Sequence, residues 1–241
     1  MSDDNHRSIE ERFIPPVSGI DLEQALNYVD ETGLDLEWFY ASYTYPRVFY
    51  RKGNRPLLDE IIDQLCADDD ILLFHKCVEA VYDRIVHFSQ LGYVGRMGRG
   101  MSEEELLGSG CGWCNEQARV LAALTQAAGL PSRLVFADDG AGAGHVITEV
   151  YIRGKWALVD QTEGFIFSDK HGTPVNVMDL RQDTALWHQV DALYKARLLE
   201  HRARITTAAG KAFWDCWVPY GCFDHPLDVL RHVGYCNYFI H

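Results

Sequence analysis

Basic residues are scarce in this chain: 22 Lys and Arg stand against 35 Asp and Glu, a formal charge of −13. Such a surplus repels phosphate backbones and anionic lipid, and no basic patch of useful size offsets it, so neither nucleic acid nor a membrane surface is an expected partner. No stretch approaches the ~20 apolar residues that a membrane span needs. The opening residues, Met1 to Arg7, are polar and have no apolar core behind them, which predicts a cytoplasmic protein. Internal repeats are missing as well, and solenoids and propellers go with them.

Cysteine is present, but not in a pattern that staples a small fold. Seven cysteines, at positions 66, 77, 111, 114, 216, 222 and 236, are an odd number in a 241-residue chain, so reduced thiols, a metal site or a reactive cysteine are better readings than a disulfide framework. The terminal cluster Cys216, Cys222, His225, His232, Cys236 and His241 has no C-x-x-C or H-x-x-x-H pair. Finger spacing is therefore absent, and packed or surface residues are expected there, with no metal and no cofactor. Gly92, Gly95, Gly98 and Gly100 with Arg96 and Arg99 make a loop that lacks the lysine and hydroxyl of a phosphate loop.

With 47% hydrophobic, 24% charged and 12% aromatic residues, the chain has the composition of a folded domain with a sizeable core. Residues 1–20 read as a polar tail and linker ending in Pro15-Pro16, and 21–241 as one domain. Asp21 to Thr32 is patterned as a short helix, and the aromatics between Trp38 and Tyr50 as a buried ledge. Helical spacing recurs over 57–66 and 71–88, separated by the acidic run Asp68-Asp69-Asp70, which suits a helix cap.

The middle of the chain carries the chemistry. Leu107 to Trp113 is broken by glycines, and a run of strong helix formers then begins at Cys114 and stops at Gly129. Three strands in a meander are predicted next, at 132–137, 145–152 and 156–160, then a short apolar stretch at 165–167 and a helix over 184–205. Cys114 thus sits at a helix N-terminus, where the partial positive charge favours thiolate. His145 near the start of one strand and Asp160 at the end of the next share a sheet edge, and supply a base and the group that orients it. The backbone N–H of Cys114 is one donor for a developing oxyanion; Trp113, Ser109 and Gln90 are candidates for a second. Cys111-x-x-Cys114 also fits a dithiol redox site, but that reading leaves His145 and Asp160 without a role.

Four linked strings carry a family resemblance: Gly112-Trp113-Cys114-Asn115-Glu116-Gln117-Ala118, Ala128-Gly129-Leu130-Pro131-Ser132-Arg133-Leu134-Val135, His145-Val146-Ile147-Thr148-Glu149-Val150-Tyr151 and Lys155-Trp156-Ala157-Leu158-Val159-Asp160-Gln161-Thr162. In this order and spacing they resemble the core of the transglutaminase-like superfamily over residues 105–165. The resemblance implies an α+β fold of the papain-like type, a nucleophile helix packed on an antiparallel sheet, with helical elaborations at both ends and a catalytic core at about 71–168. It also implies Cys114 as nucleophile, His145 as general base and acid, and Asp160 as orienting carboxylate. Two positions depart from the family pattern: Ile147 stands where tryptophan is usual and Gln161 where proline is usual. The expected activity is attack on an amide or thioester carbonyl through an acyl-thioenzyme, with hydrolysis ahead of amide-forming acyl transfer. A non-catalytic binding scaffold is the competing class. The expected partner is a peptide, amide or acyl-carrier-type substrate.

Overall fold

The computed structural model describes residues 52–91, 101–138, 144–217 and 232–236. The tail and helix predicted over 1–32, the aromatic segment around Trp38 to Tyr50 and the glycine loop at 92–100 lie outside the described residues. So do the side chains of the terminal Cys and His cluster.

Two helices open the described chain, α1 (Pro56–Gln64) and α2 (Asp70–Arg84). Asp69 caps α2 by accepting from the N–H groups of Ile71 and Leu72, which accounts for the acidic run. The predicted helix over 71–88 is too long. Ile85 takes an extended conformation (φ −120°, ψ 101°) and ends α2 at Arg84, after which β1 (Val86–His87) and a 3-10 turn (Phe88–Leu91) follow.

The glycine-broken segment before Cys114 is more ordered than its composition implies. α3 (Glu103–Ser109) is fixed at its start by a capping box between Ser102 and Glu105, and at its end by Gly110 in the left-handed region at φ 68°. β2 (Cys111–Gly112) then pairs parallel with β1, placing His87 opposite Gly112. Gly112 suits the close approach here, since a Cβ would stand 3.1 Å from Glu116 Cβ and push that side chain back by a few tenths of an ångström. α4 (Cys114–Ala127) begins at once.

The strands are β3 (Ser132–Asp138), β4 (Gly144–Ile152), β5 (Lys155–Asp160), β6 (Phe165–Ile166) and β7 (His232–Cys236). They form one antiparallel sheet in the order β6-β5-β4-β3-β7. β7 is a strand that the sequence pattern does not predict. C-terminal to strands β3–β6, the single predicted helix over 184–205 is preceded by α5 (Val177–Gln182); α6 (Thr184–Arg204) and α7 (Ala208–Trp217) complete the helices. Asn176 caps the start of α5, and Asp183, at once its C-cap and the N-cap of the next helix, separates α5 from α6.

Alternation along the strands gives the sheet two buried faces. Leu134, Phe136, Val146, Val150, Ala157 and Val159 pack with α2 and α4 on one side. Val135, Ala137, Ile147 and Leu158 pack with Val177, Leu180, Val190, Tyr194 and Leu198 on the other. The fold is thus α+β, with the antiparallel sheet between α2 and α4 on one side and the C-terminal helices on the other. Ile147 is 2% exposed and belongs wholly to the second core.

Candidate active site

Strand pairing between β4 and β5 ends at Thr148 opposite Val159. Continued in the same register, Asp160 faces Ile147, so His145 and Asp160 are diagonal neighbours on one face, not an opposed pair. The diagonal is short enough for His145 Nε2 to donate to Asp160 Oδ2 at 2.8 Å. With Nε2 given to Asp160, Nδ1 is the nitrogen left for the thiol, and the His145 side chain makes a hydrogen bond with Cys114. The sheet end therefore joins two layers: Cys114 comes from α4 on one face and Asp160 projects from the other, with His145 between them.

Asp160 is fully buried, and both of its oxygens are hydrogen-bonded. Oδ1 accepts from the N–H of Thr162 at 3.0 Å, and Oδ2 accepts from His145 and from the Tyr194 hydroxyl. Burial would raise its pKa, but the charge and hydrogen bond of His145, with the bonds from Tyr194 and Thr162, hold it below the usual carboxylate range. Burial also works against a charged imidazole at His145; the Asp160 carboxylate overrides it and holds His145 well above the ordinary histidine value. Burial of Cys114 favours the neutral thiol, yet hydrogen bonding to His145 and His87, with the charge of His145, holds it well below the ordinary thiol value. These shifts favour proton transfer from sulfur to ring, a thiolate beside an imidazolium.

A polar frame fixes the Cys114 end of α4. Glu116 accepts from the N–H of Trp113 at 3.1 Å, and Gln117 donates to the carbonyl of Ile85 at 2.7 Å. Thr162 in turn donates to Gln117 at 2.7 Å, linking the turn after Asp160 to the helix. Gln161, the departure from proline, bridges two elements. Its amide donates to the carbonyls of Cys114 (3.1 Å) and Val146 (2.9 Å), and its oxygen accepts from Thr148. One buried side chain thus ties the first residue of α4 to β4.

The three candidates for a second oxyanion donor are held differently. Ser109 donates its hydroxyl to the carbonyl of Leu106 at 3.0 Å, and the Gln90 amide is bonded to His201 Nε2. The Trp113 ring lies edge-on to His87, with centroids 5.5 Å apart and planes at 85°. The sequence pattern hides His87, because the periodicity over 71–88 puts it on a helix. Its remaining signal, a histidine shortly before a glycine-rich segment, is weak. Tyr194 is hidden in the same way, as one apolar position of a long helix.

Behind Asp160 lies a second polar group. His201 Nδ1 is 3.2 Å from both the Tyr82 hydroxyl and Glu163 Oε2. Burial and the Asp160 charge push Glu163 well up, and burial pushes His201 down to about 4, so both shifts favour the neutral form of this pair. Cys77, deep in the first core, is pushed up to about 12 by burial and is no nucleophile. Cys66, Cys77, Cys111 and Cys114 form no disulfide, and the described residues hold no His, Cys, Asp and Glu cluster suited to a metal. Among them, no helix is long and apolar enough to cross a membrane.

Residues 68–161 match the family model described as the transglutaminase-like superfamily. Among solved structures, a candidate cysteine protease from Cytophaga hutchinsonii aligns at 19% identity and TM-score 0.39 over 59% of this chain and 48% of its own. A protein described as a TGase aligns at 19% and 0.39 over 60% and 40%. A candidate protease from Parabacteroides distasonis aligns at 12% and 0.34 over 50% and 26%. The chain therefore matches less than half of each of these proteins. No curated protein matches it.

Proposed function

Residues 68–161 are a transglutaminase-like core, and from that premise we propose that the chain is a cysteine-nucleophile enzyme acting on an amide or thioester carbonyl. The observation that carries this reading is the line Cys114, His145, Asp160, in which the thiol is held low and the imidazole high by each other and by a buried carboxylate. The Cys114 thiolate attacks the carbonyl carbon, forming a C–S bond while the carbonyl electron pair moves to oxygen. Collapse of that adduct expels the leaving group, which takes its proton from His145. A water then gives its proton to His145 as it attacks the thioester, releasing the acid and restoring the thiol. Hydrolysis is favoured over transfer to an amine because the His145 side chain is 25% exposed, so water has access to the base that would activate it. The surplus of acidic residues suits a neutral or cationic substrate.

The test uses an activated ester. On mixing with p-nitrophenyl acetate, a burst of nitrophenolate equal to the enzyme and an acetyl adduct on the Cys114 peptide are expected, and Cys114→Ala removes both. Chasing the acyl-enzyme with glycine amide in competition with water separates the outcomes. Release as acetate supports the hydrolase, whereas predominant acetyl-glycine amide would assign an acyltransferase. A Cys114→Ala protein that still acylates would sink the nucleophile reading.

A further inference from the structure

The thiol of Cys114 has two histidine partners. His145 is coupled to Asp160 and serves as the base; the second, His87, comes from β1 and lies near enough to Cys114 to help hold its thiol low. Three features fix where that ring is and what it can offer. The parallel pairing of β1 with β2 sets His87 opposite Gly112, two residues before the nucleophile. The Trp113 ring meets it edge-on, and Phe88 packs against the same indole with centroids 5.4 Å apart. Buried Ser89 then settles the tautomer: its backbone N–H points at His87 Nδ1 (3.3 Å) and its hydroxyl lies 2.6 Å from the same atom. A nitrogen facing a backbone N–H is an acceptor, so the ring proton is on Nε2. His145 leans on the Asp160 carboxylate, whereas the partner of His87 Nδ1 is Ser89, which supplies no charge to draw a proton through the ring.

We propose that His87 is a catalytic residue of this site, whose Nε2–H donates to the oxyanion formed when Cys114 attacks a carbonyl, beside the backbone N–H of Cys114. This rests on Cys114 being the nucleophile. In the resting enzyme the same N–H holds the thiolate. As the C–S bond forms, negative charge leaves sulfur for the carbonyl oxygen attached to the carbon it has joined, and a donor already beside the sulfur meets it there. His87 gives up no proton: it donates a hydrogen bond through attack and collapse, while His145 alone transfers protons. Of the other candidates, Gln90 and Ser109 are engaged with His201 and Leu106, and the Trp113 ring meets His87 edge-on.

The experiment compares two reactions of the same thiol, one that builds an oxyanion and one that does not. Acylation by p-nitrophenyl acetate passes through a tetrahedral oxyanion; alkylation by iodoacetamide is a displacement of iodide and does not. Both are measured on the plateau between the lowered Cys114 value and the raised His145 value, where the thiolate–imidazolium pair is fully formed. His87→Phe keeps a ring against Trp113 and removes the donor. Its acylation plateau is expected to fall by about 10²- to 10³-fold, the usual loss for one oxyanion donor, with alkylation within a few-fold of wild type. His87→Gln restores an N–H donor and recovers most of that loss. Equal losses in both reactions, unchanged acylation in His87→Phe, or a His87→Gln no better than His87→Phe would each overturn the assignment. If the Phe variant does not fold, His87→Ala gives the same readout. Failure of the underlying nucleophile reading shows separately, as acylation that survives Cys114→Ala.

Discussion

Tyr194, on the C-terminal helix α6, donates its hydroxyl to the same Asp160 oxygen that binds His145. A helix beyond the matched residues 68–161 thus completes the hydrogen-bond set of the Asp160 carboxylate. Tyr194 touches no reacting atom and is a positioning residue. Burial and the Asp160 charge push its phenol well above the usual value, so it remains a donor across the working pH range.

Tyr194→Phe keeps the ring in the cluster with Phe165 and Phe167 and removes only the donor. A hydrogen bond to a buried charged group contributes about 1.5–3 kcal/mol, and urea unfolding should report a loss of that size. Acylation slows less than in Asp160→Asn, because His145 keeps its partner. An unaltered unfolding midpoint would show that the bond contributes nothing.

Thiol reactivity should mark out Cys114 by its pH dependence. The thiol titrates low and the imidazole high, so the thiolate–imidazolium pair spans the interval from the lowered Cys114 value up to the raised His145 value. Iodoacetamide is expected to alkylate Cys114 rapidly below pH 7, where an ordinary thiol of pKa ~8.5 is largely protonated. His145→Ala moves that acid limb upward toward the ordinary value, and Asp160→Asn moves the alkaline limb of acylation downward by removing the charge that holds His145 protonated. Peptide mapping of the alkylated protein checks the first expectation. A limb unmoved in His145→Ala would break the coupling.

How much of the fold and site is legible in the sequence depends on how local each signal is. Cys114 at a helix start, the three strands and the placement of His145 and Asp160 are written in short strings whose spacing needs no distant partner. Helix and strand limits, set by alternation and by Gly129 or Gly154, agree with the structure to within a few residues. What stays hidden depends on contacts between distant segments. The end of α2 at Arg84 is enforced by pairing of Val86–His87 with Cys111–Gly112, more than twenty residues on, and helical periodicity alone extends through Phe88. Tyr194 reads as a core aromatic until α6 packs on the face of the sheet that carries Asp160. Gln161 looks like a mere departure because its partners, the carbonyls of Cys114 and Val146, meet only in the folded chain.

That bridge gives a separate prediction. Gln161→Leu is similar in size but leaves the Cys114 and Val146 carbonyls without their buried donor. Each orphaned group costs about 1–3 kcal/mol, so the variant should lose about 2–4 kcal/mol by urea unfolding once partial rearrangement is allowed. The first turn of α4 also loosens, and acylation of Cys114 should fall while the thiol's alkylation limb moves little. Retention of wild-type stability would mean that water or another side chain replaces the bridge.

The pair behind Asp160 makes stability itself pH-dependent. His201 is held at about 4 in the fold against an ordinary 6.5, because burial penalises its charge. Its folded value is depressed, so between those two values the unfolded chain binds more protons than the folded one. Acidification from pH 6.5 toward 4 therefore removes stability, by about 3 kcal/mol for a shift of this size. Glu163 acts in the opposite sense. Its folded value is raised, so its contribution is fully present below its unfolded value of 4.5 and fades as pH climbs through the raised one. The two slopes partly cancel in the intact protein, and a substitution is needed to separate them. In His201→Gln the neutral side chain keeps polar atoms near Tyr82 and Glu163 but cannot titrate. Its unfolding free energy should lose the acid-side decline, so the difference between wild type and variant narrows or reverses as pH falls from 6.5 to 4. A constant difference across that range would show that His201 is charged in the fold, and the neutral pairing with Glu163 would have to be given up.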